Sequence, residues 1–483
     1  MNSPVSRRQF LASGAAATMA GAVLSHPRAA PVLAPLQLSA DRRTIEVAGK
    51  SSSVFALRQP NGASGLVLDP GQRFTVDLAN ASGEDTIVHW HGQTPPPDQD
   101  GVTDTGYVKA IAPAARQRYD FAARPGTHWM HSHHGLQEQA LMAAPLIVRT
   151  ADDLRMDAQE VTVLLHDFSF RSPAEVLASV TGGAAMSHGA ANSPAGGHAG
   201  HSMAGMTQSG AATDLNDFEY DAYLANDRTL ADPLVVRTER TGRVRLRLIN
   251  GATSTAFWIE LGPLEGTVIA ADGNPVQPVP GRRFPLAQGQ RLDILVTLPA
   301  AGGSFPILAQ REGDRQQTGF ILATPAARIA KVADLAAKPA APIDLSLERR
   351  LTALAPLSAR TADLTHRITL NGAMMPYAWS IDDRTWADRK TLRVTKGQRV
   401  ALEMINRSAM AHPMHLHGHH FQVVALNGQA RAGAMRDTVL VPVNGSVTVA
   451  FDADNPGRWL FHCHNLFHMA TGMMTELAYA DRS

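Results

Sequence analysis

Histidines in His-x-His pairs are the residues of this sequence whose spacing is best suited to chemistry. Alternate residues of a β-strand point to the same face, so each pair presents two imidazoles together. The four pairs are His89/His91, His131/His133, His415/His417 and His462/His464. Imidazole is a ligand for several transition metals. The pattern therefore predicts a metal cluster that draws its ligands from two distant parts of the chain.

The only cysteine, Cys463, lies between the two histidines of the last pair. Because those histidines face one way along a strand, the thiol points to the opposite face and toward a second site. His412 lies upstream of it, and His468 and Met473 follow it. One thiolate, two imidazoles and a weak thioether are the ligand set of a mononuclear copper site for electron transfer. A buried structural cysteine is the alternative.

Composition excludes several other classes of protein. A single cysteine excludes an intramolecular disulfide framework and cysteine-rich zinc or iron–sulfur sites. Lys+Arg 44 against Asp+Glu 43 gives a formal charge of +1, which is not the footprint of a protein that binds nucleic acid. With 44% hydrophobic and 18% charged residues in 483, the chain is predicted to fold into about two to four domains.

The elements that must position these residues are predicted to be strands. Runs rich in Val, Ile, Leu and Thr alternate with turn residues, which indicates an all-β, sandwich-like fold. Histidines follow both Asn80 and Asn406 at the same two spacings, whereas Ile259 and Leu261 hold those positions after Asn250. We therefore predict three homologous β domains, of which the middle one is a spacer without ligands. Their predicted bounds are 35–150, 155–330 and 345–483.

The N-terminus carries a predicted targeting signal. Arg7 and Arg8 precede an apolar stretch of small residues that ends near Leu24, and the whole of residues 1–30 resembles a twin-arginine signal peptide. An ordinary amphipathic helix is the alternative. The resemblance implies export of the folded chain to the periplasm by the twin-arginine export machinery. No later segment offers about 20 uninterrupted apolar residues, so no membrane span is expected in the mature chain.

Together the ligand motifs resemble those of the multicopper oxidase family, and the resemblance spans nearly the whole mature chain. The motifs read His89-Trp90-His91-Gly92, His131-Ser132-His133, His412-Pro413-Met414-His415-Leu416-His417-Gly418, and His462-Cys463-His464 through His468 to Met473. The resemblance implies an all-β fold of three tandem cupredoxin-like Greek-key β-sandwich domains. It also implies four coppers per chain, three of them in a cluster between the first and third domains.

The resemblance assigns a role to each ligand. The type 1 ligands are predicted to be His412, Cys463, His468 and Met473. The type 2 pair is predicted to be His89 and His415, and the type 3 ligands His91, His131, His133, His417, His462 and His464. Ser132 occupies the position equivalent to Cys463, so no electron-entry copper is expected in the first domain.

Two residues, Cys463 and Asp100, are predicted to be catalytic. Cys463 is expected to pass electrons from the donor toward the adjacent histidines, and the resemblance implies reduction of dioxygen to two waters. Asp100 matches an acidic position that many family members carry nine residues after the first motif, and oxygen reduction needs protons. A turn-forming aspartate before glycine is its alternative. Some relatives carry a second carboxylate where this chain has Met469.

A third acidic residue, Asp437, has no catalytic prediction. We expect it beside the type 1 histidines as a hydrogen-bond acceptor, with a purely structural role as the alternative.

The electron donor is predicted from an insertion at residues 178–213, which is expected to be flexible. Its soft and imidazole ligands are Met186, His188, His198, His201, Met203 and Met206. Thioethers favour Cu(I), so these features resemble the copper-tolerance branch of the family, which oxidises Cu(I). The alternative donor is a small phenol or aromatic amine, as in a laccase. A binding role without catalysis is disfavoured because the ligand set is complete. The three-domain members are expected to work as monomers.

Overall fold

Alternating apolar residues build most of this protein into β-strands. The computed structural model describes residues 34–182 and 215–480. In the strand Phe74–Asn80, for example, Phe74, Val76 and Leu78 are buried while the residues between them are partly exposed. Each strand thereby contributes one face to a core. The strands form six sheets, and only three short α-helices occur in the described ranges, so the predicted all-β class is confirmed.

Two four-stranded sheets, with the orders β2-β1-β4-β6 and β3-β8-β7-β5, share one hydrophobic core and form what we call the first sheet pair. Its strands are β1 (Leu36–Val47), β2 (Lys50–Arg58), β3 (Leu66–Leu68), β4 (Phe74–Asn80), β5 (Val88–His89), β6 (Arg116–Phe121), β7 (Gly126–Ser132) and β8 (Ala143–Val148). A short 3-10 helix, Pro97–Gln99, ends directly before Asp100.

The middle sheet pair has the strand orders β10-β9-β12-β17-β14-β15 and β11-β19-β18-β13-β16. Its strands are β9 (Gln159–Phe168), β10 (Ala222–Ala225), β11 (Val235–Arg237), β12 (Arg243–Asn250), β13 (Phe257–Glu260), β14 (Gly266–Ala271), β15 (Asn274–Gly281), β16 (Arg283–Leu286), β17 (Arg291–Thr297), β18 (Ser304–Arg311) and β19 (Gln317–Ala323). The helices α1 (Ala151–Arg155) and α2 (Pro173–Val180) flank β9.

The last sheet pair has the orders β21-β20-β23-β29-β25-β26, with β27 also on β25, and β22-β31-β30-β24-β28. Its strands are β20 (Leu364–Met374), β21 (Tyr377–Ile381), β22 (Leu392–Val394), β23 (Arg399–Asn406), β24 (His412–Leu416), β25 (Phe421–Leu426), β26 (Gln429–Ala430), β27 (Met435–Arg436), β28 (Thr438–Val441), β29 (Ser446–Asp452), β30 (Arg458–Cys463) and β31 (Met474–Tyr479). A 3-10 helix (Trp386–Asp388) and α3 (Leu466–Ala470) complete it.

The three sheet pairs repeat one topology. In each, the first long strand runs parallel to the strand that ends at the repeated asparagine: β1 with β4, β9 with β12, and β20 with β23. A second parallel pairing recurs in the other sheet, between β3 and β8, β11 and β19, and β22 and β31. The internal repeat seen in the sequence thus corresponds to a repeated arrangement of strands.

The repeated asparagine does the same structural work in all three copies. The Nδ2 of Asn80, of Asn250 and of Asn406 donates to two backbone carbonyl oxygens across the loop that follows. The Oδ1 of each accepts from the backbone N–H two residues later. These bonds fix the loop that leads into the next strand, which in the first and last copies carries the first predicted ligands. The asparagine is therefore structural rather than catalytic.

Two predicted segments lie largely outside the described residues. The predicted signal peptide at 1–30 lies outside them entirely. The predicted insertion at 178–213 lies outside them from the residue after Gly182 onward. None of the helices within 34–182 and 215–480 has the length and apolar character needed to cross a bilayer.

Candidate metal centres

The eight paired histidines converge on one buried space between the first and last sheet pairs. His89 on β5 lies opposite His131 on β7, and His415 on β24 lies opposite His462 on β30. Rings from the two sheet pairs also stack on each other: the centroids of His89 and His417 are 3.9 Å apart, and those of His91 and His415 are 3.8 Å apart. Strand pairing therefore brings the histidines together within each sheet pair, and the interface brings both sets together.

Unpartnered ring nitrogens mark the inside of this space. In the described chain, the buried nitrogens without a hydrogen-bond partner include His89 Nε2, His91 Nδ1, His131 Nε2, His133 Nε2, His415 Nε2 and both nitrogens of His464. Two more face each other, since His417 Nε2 lies 3.0 Å from His462 Nε2. Buried polar atoms without partners are costly, so a nitrogen-rich space of this kind fits metal ions held by imidazole.

In six of these rings the other nitrogen is held from outside the cluster, which orients the ring. His89 Nδ1 donates to the backbone oxygen of Asp100 at 2.9 Å, and His415 Nδ1 donates to that of Asp437 at 2.8 Å. His462 Nδ1 donates to the Cys463 carbonyl at 2.9 Å. Carboxylates hold three others: Asp100 holds His417, Asp437 holds His91, and Glu138 holds His131.

Burial keeps these imidazoles in the neutral form that binds metals. It lowers the pKa of His464 to about 3. The same cause lowers the pKa well below the ordinary range for six others, namely His91, His131, His133, His415, His417 and His462. Because the neighbouring rings repel a second positive charge, they lower these values further. These seven rings are therefore neutral donors at physiological pH.

A second, smaller group of donors lies on the other face of β30. Cys463 Sγ is 3.7 Å from His412 Nδ1 and 3.6 Å from His468 Nδ1, and these two nitrogens are 3.1 Å apart. All three residues are fully buried, and Met473 is buried in the same hydrophobic core. Cys463 N–H donates to the Met473 carbonyl at 3.0 Å. One thiol and two imidazoles facing one another fit a copper ion of the type 1 class.

The helix α3 and its neighbours position His468. Asn465 caps this helix, its Oδ1 accepting from the backbone N–H groups of Phe467 and His468. The indole of Trp379 stacks on the His468 ring with centroids 3.9 Å apart. His468 Nε2 donates to Asp217 Oδ1 at 3.1 Å, and this carboxylate also accepts from Tyr377 and from Asn465. His468 is thus fixed on every edge and sealed from solvent.

Asp217 is a functional residue that sequence reasoning missed. It is completely buried, and although burial opposes its ionisation, the His468 ring and its hydrogen bonds keep its pKa below the usual value. It lies in the middle sheet pair's segment, far in sequence from His468. No spacing or motif signals that contact, because it arises only from packing between sheet pairs.

Asp100 lies beside histidines of both the first and the last sheet pair. Its Oδ2 accepts from His417 Nδ1 at 2.8 Å, and its backbone oxygen holds His89. Its Oδ1 lies 3.3 Å from His89 Nδ1 but accepts no hydrogen bond. Asp100 is buried and directly follows the turn of the Pro97–Gln99 helix. One residue of the first sheet pair therefore orients ligands from both sheet pairs.

The prediction for Asp437 is wrong. It was expected beside the type 1 histidines, but the structure places it at the cluster, where its Oδ1 accepts from His91 Nε2 at 3.1 Å. The reason is its place in the chain: Asp437 directly precedes β28, which lies beside β24, and it comes level with His415 and Leu416 rather than with His412. The acceptor expected for a type 1 histidine is Asp217 instead.

Glu138 is a second missed carboxylate at the cluster. Its Oε2 lies 2.8 Å from His131 Nδ1, and burial raises its pKa to about 7. It follows the His131-Ser132-His133 motif by five residues in a turn. The sequence offers no pattern that separates it from an ordinary surface glutamate.

Four histidines beside the motifs lack contacts of this kind with the cluster interior; among them, His128 and His420 bond backbone oxygens and His419 bonds Tyr479.

Comparison with known proteins agrees with this geometry. Three family models described as multicopper oxidase match residues 42–153, 190–327 and 360–483. The multicopper oxidase MmcO of Mycobacterium tuberculosis is 33% identical over 427 residues, which cover 85% of this chain and 80% of that protein. The chain belongs to the multicopper oxidase family. As a multicopper oxidase it is an oxidoreductase, and its cofactor is copper.

Further relatives extend the comparison. Copper resistance protein A of Escherichia coli is 25% identical over 576 residues, covering 92% of this chain and 93% of that protein. The crystal structure of a laccase from Botrytis aclada superposes with a TM-score of 0.75 at 21% identity, over 92% of this chain and 88% of the laccase. The fold is therefore that of three tandem cupredoxin-like β-sandwiches, as predicted.

Proposed function

We propose that this multicopper oxidase is a cuprous oxidase of copper tolerance, which takes electrons one at a time from Cu(I) and passes four of them to dioxygen. The observation that carries the proposal is a small cavity beside the type 1 site. It has a volume of about 160 Å³ and lies between the middle and last sheet pairs. Its lining includes Met410, Glu312 and Asn465. A thioether and a carboxylate suit a copper ion, and the volume is well below the roughly 300 Å³ at which pockets for drug-sized organic ligands begin.

The surroundings of His468 support a small donor. A bulky donor such as a phenol needs an open path to the His468 ring if it is to contact that ring. Here Trp379 covers one face of the ring, and Asp217 and Tyr377 close its Nε2 edge. The cavity reaches the same site through Asn465, whose Nδ2 donates to Asp217 at 2.5 Å. An ion in the cavity would therefore be two hydrogen bonds from the type 1 ligand.

The chain that follows the predicted insertion of methionines and histidines lies beside this cavity. The described chain resumes at Leu215, which lines the cavity, and Asp217 follows two residues later. We therefore keep the proposal that residues 178–213 gather Cu(I) for the oxidase. A role in copper storage is compatible with this one.

Each copper has a proposed set of ligands. We assign the type 1 copper to His412, Cys463, His468 and Met473. We assign the type 2 copper to His89 and His415, and the type 3 pair to His91, His131, His133, His417, His462 and His464. This gives four coppers per chain, held by domains at 35–150 and 345–483, with the domain at 155–330 between them. The unpartnered ring nitrogens and the Cys463–His412–His468 triangle support the assignment.

The chain itself supplies the route for electrons and the path for protons. When bound, the metals supply the electron transfer and the oxygen reduction. Cys463 is covalently adjacent to His462 and His464, so one strand joins the two centres through its backbone. Asp100, with Oδ2 on His417 and Oδ1 free of hydrogen bonds, is positioned to hold a proton at the cluster. We propose that it passes this proton to the oxygen being reduced.

Location and assembly complete the proposal. The twin-arginine motif at Arg7 and Arg8 supports export of the folded chain to the periplasm, where Cu(I) tolerance is needed. Both halves of the cluster come from one chain, which supports a monomer.

Dioxygen uptake tests the choice of donor. The copper-loaded protein is given Cu(I) and, separately, a small phenol, and kcat/KM is measured for each. We expect Cu(I) to be preferred. We also expect Met410→Leu to raise KM for Cu(I) by about tenfold, the effect of losing one interaction of about 1.4 kcal/mol, while kcat/KM for the phenol stays the same.

The matched control is Met404→Leu, at a methionine that is equally buried in the same sheet pair but does not line the cavity. It should leave KM for Cu(I) unchanged. The opposite outcome is a kcat/KM for the phenol, measured without added copper, that equals or exceeds the value for Cu(I). The protein would then be a laccase, which fits the laccases among its relatives.

A further inference from the structure

The middle sheet pair, which holds none of the proposed copper ligands, reaches the surroundings of the proposed trinuclear cluster through Arg291 and the loop before it. Arg291 is the first residue of β17 and is fully buried. Its Nη1 donates to Asp437 Oδ1 at 2.7 Å, and its Nη2 donates to Asp437 Oδ2 at 2.5 Å. Asp437 belongs to the last sheet pair, so this two-pronged ion pair joins two sheet pairs directly behind the cluster.

Asp437 in turn touches one ligand from each half of the cluster. Its Oδ1 accepts from His91 Nε2 at 3.1 Å, and its backbone oxygen accepts from His415 Nδ1 at 2.8 Å. The Thr438 hydroxyl lies within hydrogen-bond distance of both rings and donates to the same Oδ1 at 2.9 Å. Since the Nε2 of His91 is taken in this way, its Nδ1 is the nitrogen that faces the cluster without a partner.

Other bonds hold Arg291 itself. Its Nε donates to the Thr127 carbonyl of the first sheet pair, and its Nη1 also donates to the Gly289 carbonyl. Gly289 has a φ of +76°, and a Cβ there would lie 2.8 Å from His464 and 3.2 Å from His91. The loop before β17 therefore lies so close to the cluster histidines that a side chain at Gly289 would clash with them, and Arg291 follows two residues later.

We infer that Arg291 is a positioning residue of the trinuclear cluster. By clamping both oxygens of Asp437, it fixes the acceptor that holds His91 with Nδ1 toward the metal and His415 with Nε2 toward the metal. The middle domain, without ligands of its own, thereby sets the geometry of ligands from the other two. Arg291 does not touch the reacting atoms and acts only through Asp437.

Arg291→Met tests the inference, with the copper complement of the folded protein as the readout. We expect the variant to lose copper from the cluster: copper per chain falls, and the near-ultraviolet band of the coupled copper pair is lost. The blue band of the type 1 copper should stay, because Cys463 and its partners lie on the other face of β30. A purely structural role would weaken both bands together.

Arg247→Met is the matched control. Arg247 is also fully buried in the middle sheet pair and also binds carboxylates and Thr127, but it contacts no residue of the cluster. It should keep its cluster copper. A full copper complement in Arg291→Met, or the same loss in both variants, would overturn the inference.

Arg291→Lys covers the case in which Arg291→Met fails to fold. Lysine keeps the positive charge but can satisfy only one oxygen of Asp437 at a time. We expect a folded protein with an intact blue band and a partial loss of cluster copper. A complete cluster in this variant would show that the two-pronged clamp is unnecessary, which also overturns the inference.

Discussion

The first and last sheet pairs carry equivalent sites around the central residue of a His-x-His strand, but only the last has a set of side chains that fits a metal ion. Counting from the repeated motifs, the equivalent positions are His412, Cys463, His468 and Met473 in the last sheet pair, and Thr86, Ser132, Gln137 and Met142 in the first. Both sets are buried. The two sets share one backbone arrangement, since β24 and β30 pair in the same way as β5 and β7.

Their side chains satisfy themselves in opposite ways. In the first sheet pair, the hydroxyls of Ser132 and Thr86 each donate to Gln137 Oε1 at 2.7 Å, and Gln137 Nε2 donates to Glu84 at 2.7 Å. In the last, a thiol and two imidazole nitrogens face one another within 3.7 Å. A site closed by its own hydrogen bonds needs no ion, whereas a thiol and two imidazole nitrogens that converge offer a ligand set for one. The difference lies in three side chains, not in the fold.

Cys463→Ser would break the comparison most completely, because it gives the last sheet pair the His-Ser-His sequence of the first. Serine is close in shape to cysteine but is not a ligand for type 1 copper. We expect dioxygen uptake with either donor to fall to background and the blue band to disappear. Copper analysis and electron paramagnetic resonance should still find the cluster copper.

The fold should tolerate this change, since Ser132 occupies the same strand position in the first sheet pair. The thermal midpoint of the apo-protein serves as the check. Residual turnover of more than a trace would mean that electrons enter elsewhere.

Asp100→Asn sharpens the comparison from the side of the first sheet pair. Asp100 and Asp437 each hold a ligand of the opposite half, but Asp437 is neutralised by Arg291 while Asp100 Oδ1 has no hydrogen bond. Of these two carboxylates, Asp100 is therefore the one we propose for proton transfer. Asparagine keeps the acceptor for His417 but cannot carry the proton, so we expect kcat to fall by roughly 10² or more.

Reoxidation of the reduced enzyme after mixing with dioxygen is the measurement. The blue band should return more slowly in the variant, although its equilibrium spectrum is unchanged. Asp98→Asn, in the same loop but exposed, is the control and should behave as the parent protein. An undiminished rate in Asp100→Asn would leave Asp100 with the role of a ligand orienter alone.

Much of this arrangement could be predicted from the sequence, because the ligands obey a local rule. Strand alternation places His462 and Cys463 on opposite faces whatever the tertiary structure, and the repeat shows where a second copy of the motif must lie. The placement of Asp437 failed for the converse reason. Which histidine the Asp437 carboxylate meets depends on the register between β24 and β28, and no local pattern encodes that register.

The surroundings of the cluster and of the type 1 site each contain a buried glutamate, and the two glutamates differ in what they contact. Glu138 contacts His131 at the cluster, whereas Glu312 lines the cavity beside the type 1 site, and burial raises the pKa of each to about 7. Neither could be recognised from the sequence, because the cause is desolvation by residues from other sheet pairs. For Glu312 the raised value has a consequence for stability.

Glu312→Gln should remove this residue's contribution to the pH dependence of the unfolding free energy. The unfolded glutamate ionises near its ordinary pKa of 4.5, while the native one keeps its proton until about pH 7. The unfolded state therefore binds fewer protons in this window, and the contribution of Glu312 to stability is lost as the pH rises. Glutamine has no such loss, so its stability relative to the parent should improve by ~3 kcal/mol between pH 4.5 and pH 8.

Denaturant unfolding of both proteins at the two pH values measures the difference. The exposed Glu265→Gln is the control and should show no pH-dependent gain. Glutamine can still accept from the Ile343 N–H, so the fold around the cavity stays intact. A gain that is equal at both pH values would point to packing rather than to ionisation.

Ser132→Cys is expected to have the smallest effect, and it addresses the comparison directly. If a cysteine between two histidines were sufficient for a type 1 site, this variant would acquire a second blue copper. We expect none, because Thr86 and Gln137 replace the two histidines and Gln137 remains bonded to Thr86 and Glu84. Absorption and copper content should match those of the parent protein.

The triple variant Thr86→His, Ser132→Cys, Gln137→His restores the missing donors beside Met142, and a new blue band there would show that side chains alone separate the two sites. A blue band in Ser132→Cys itself would mean that the hydrogen-bonded triad yields to the metal, and that the first sheet pair is closer to a working site than its side chains indicate.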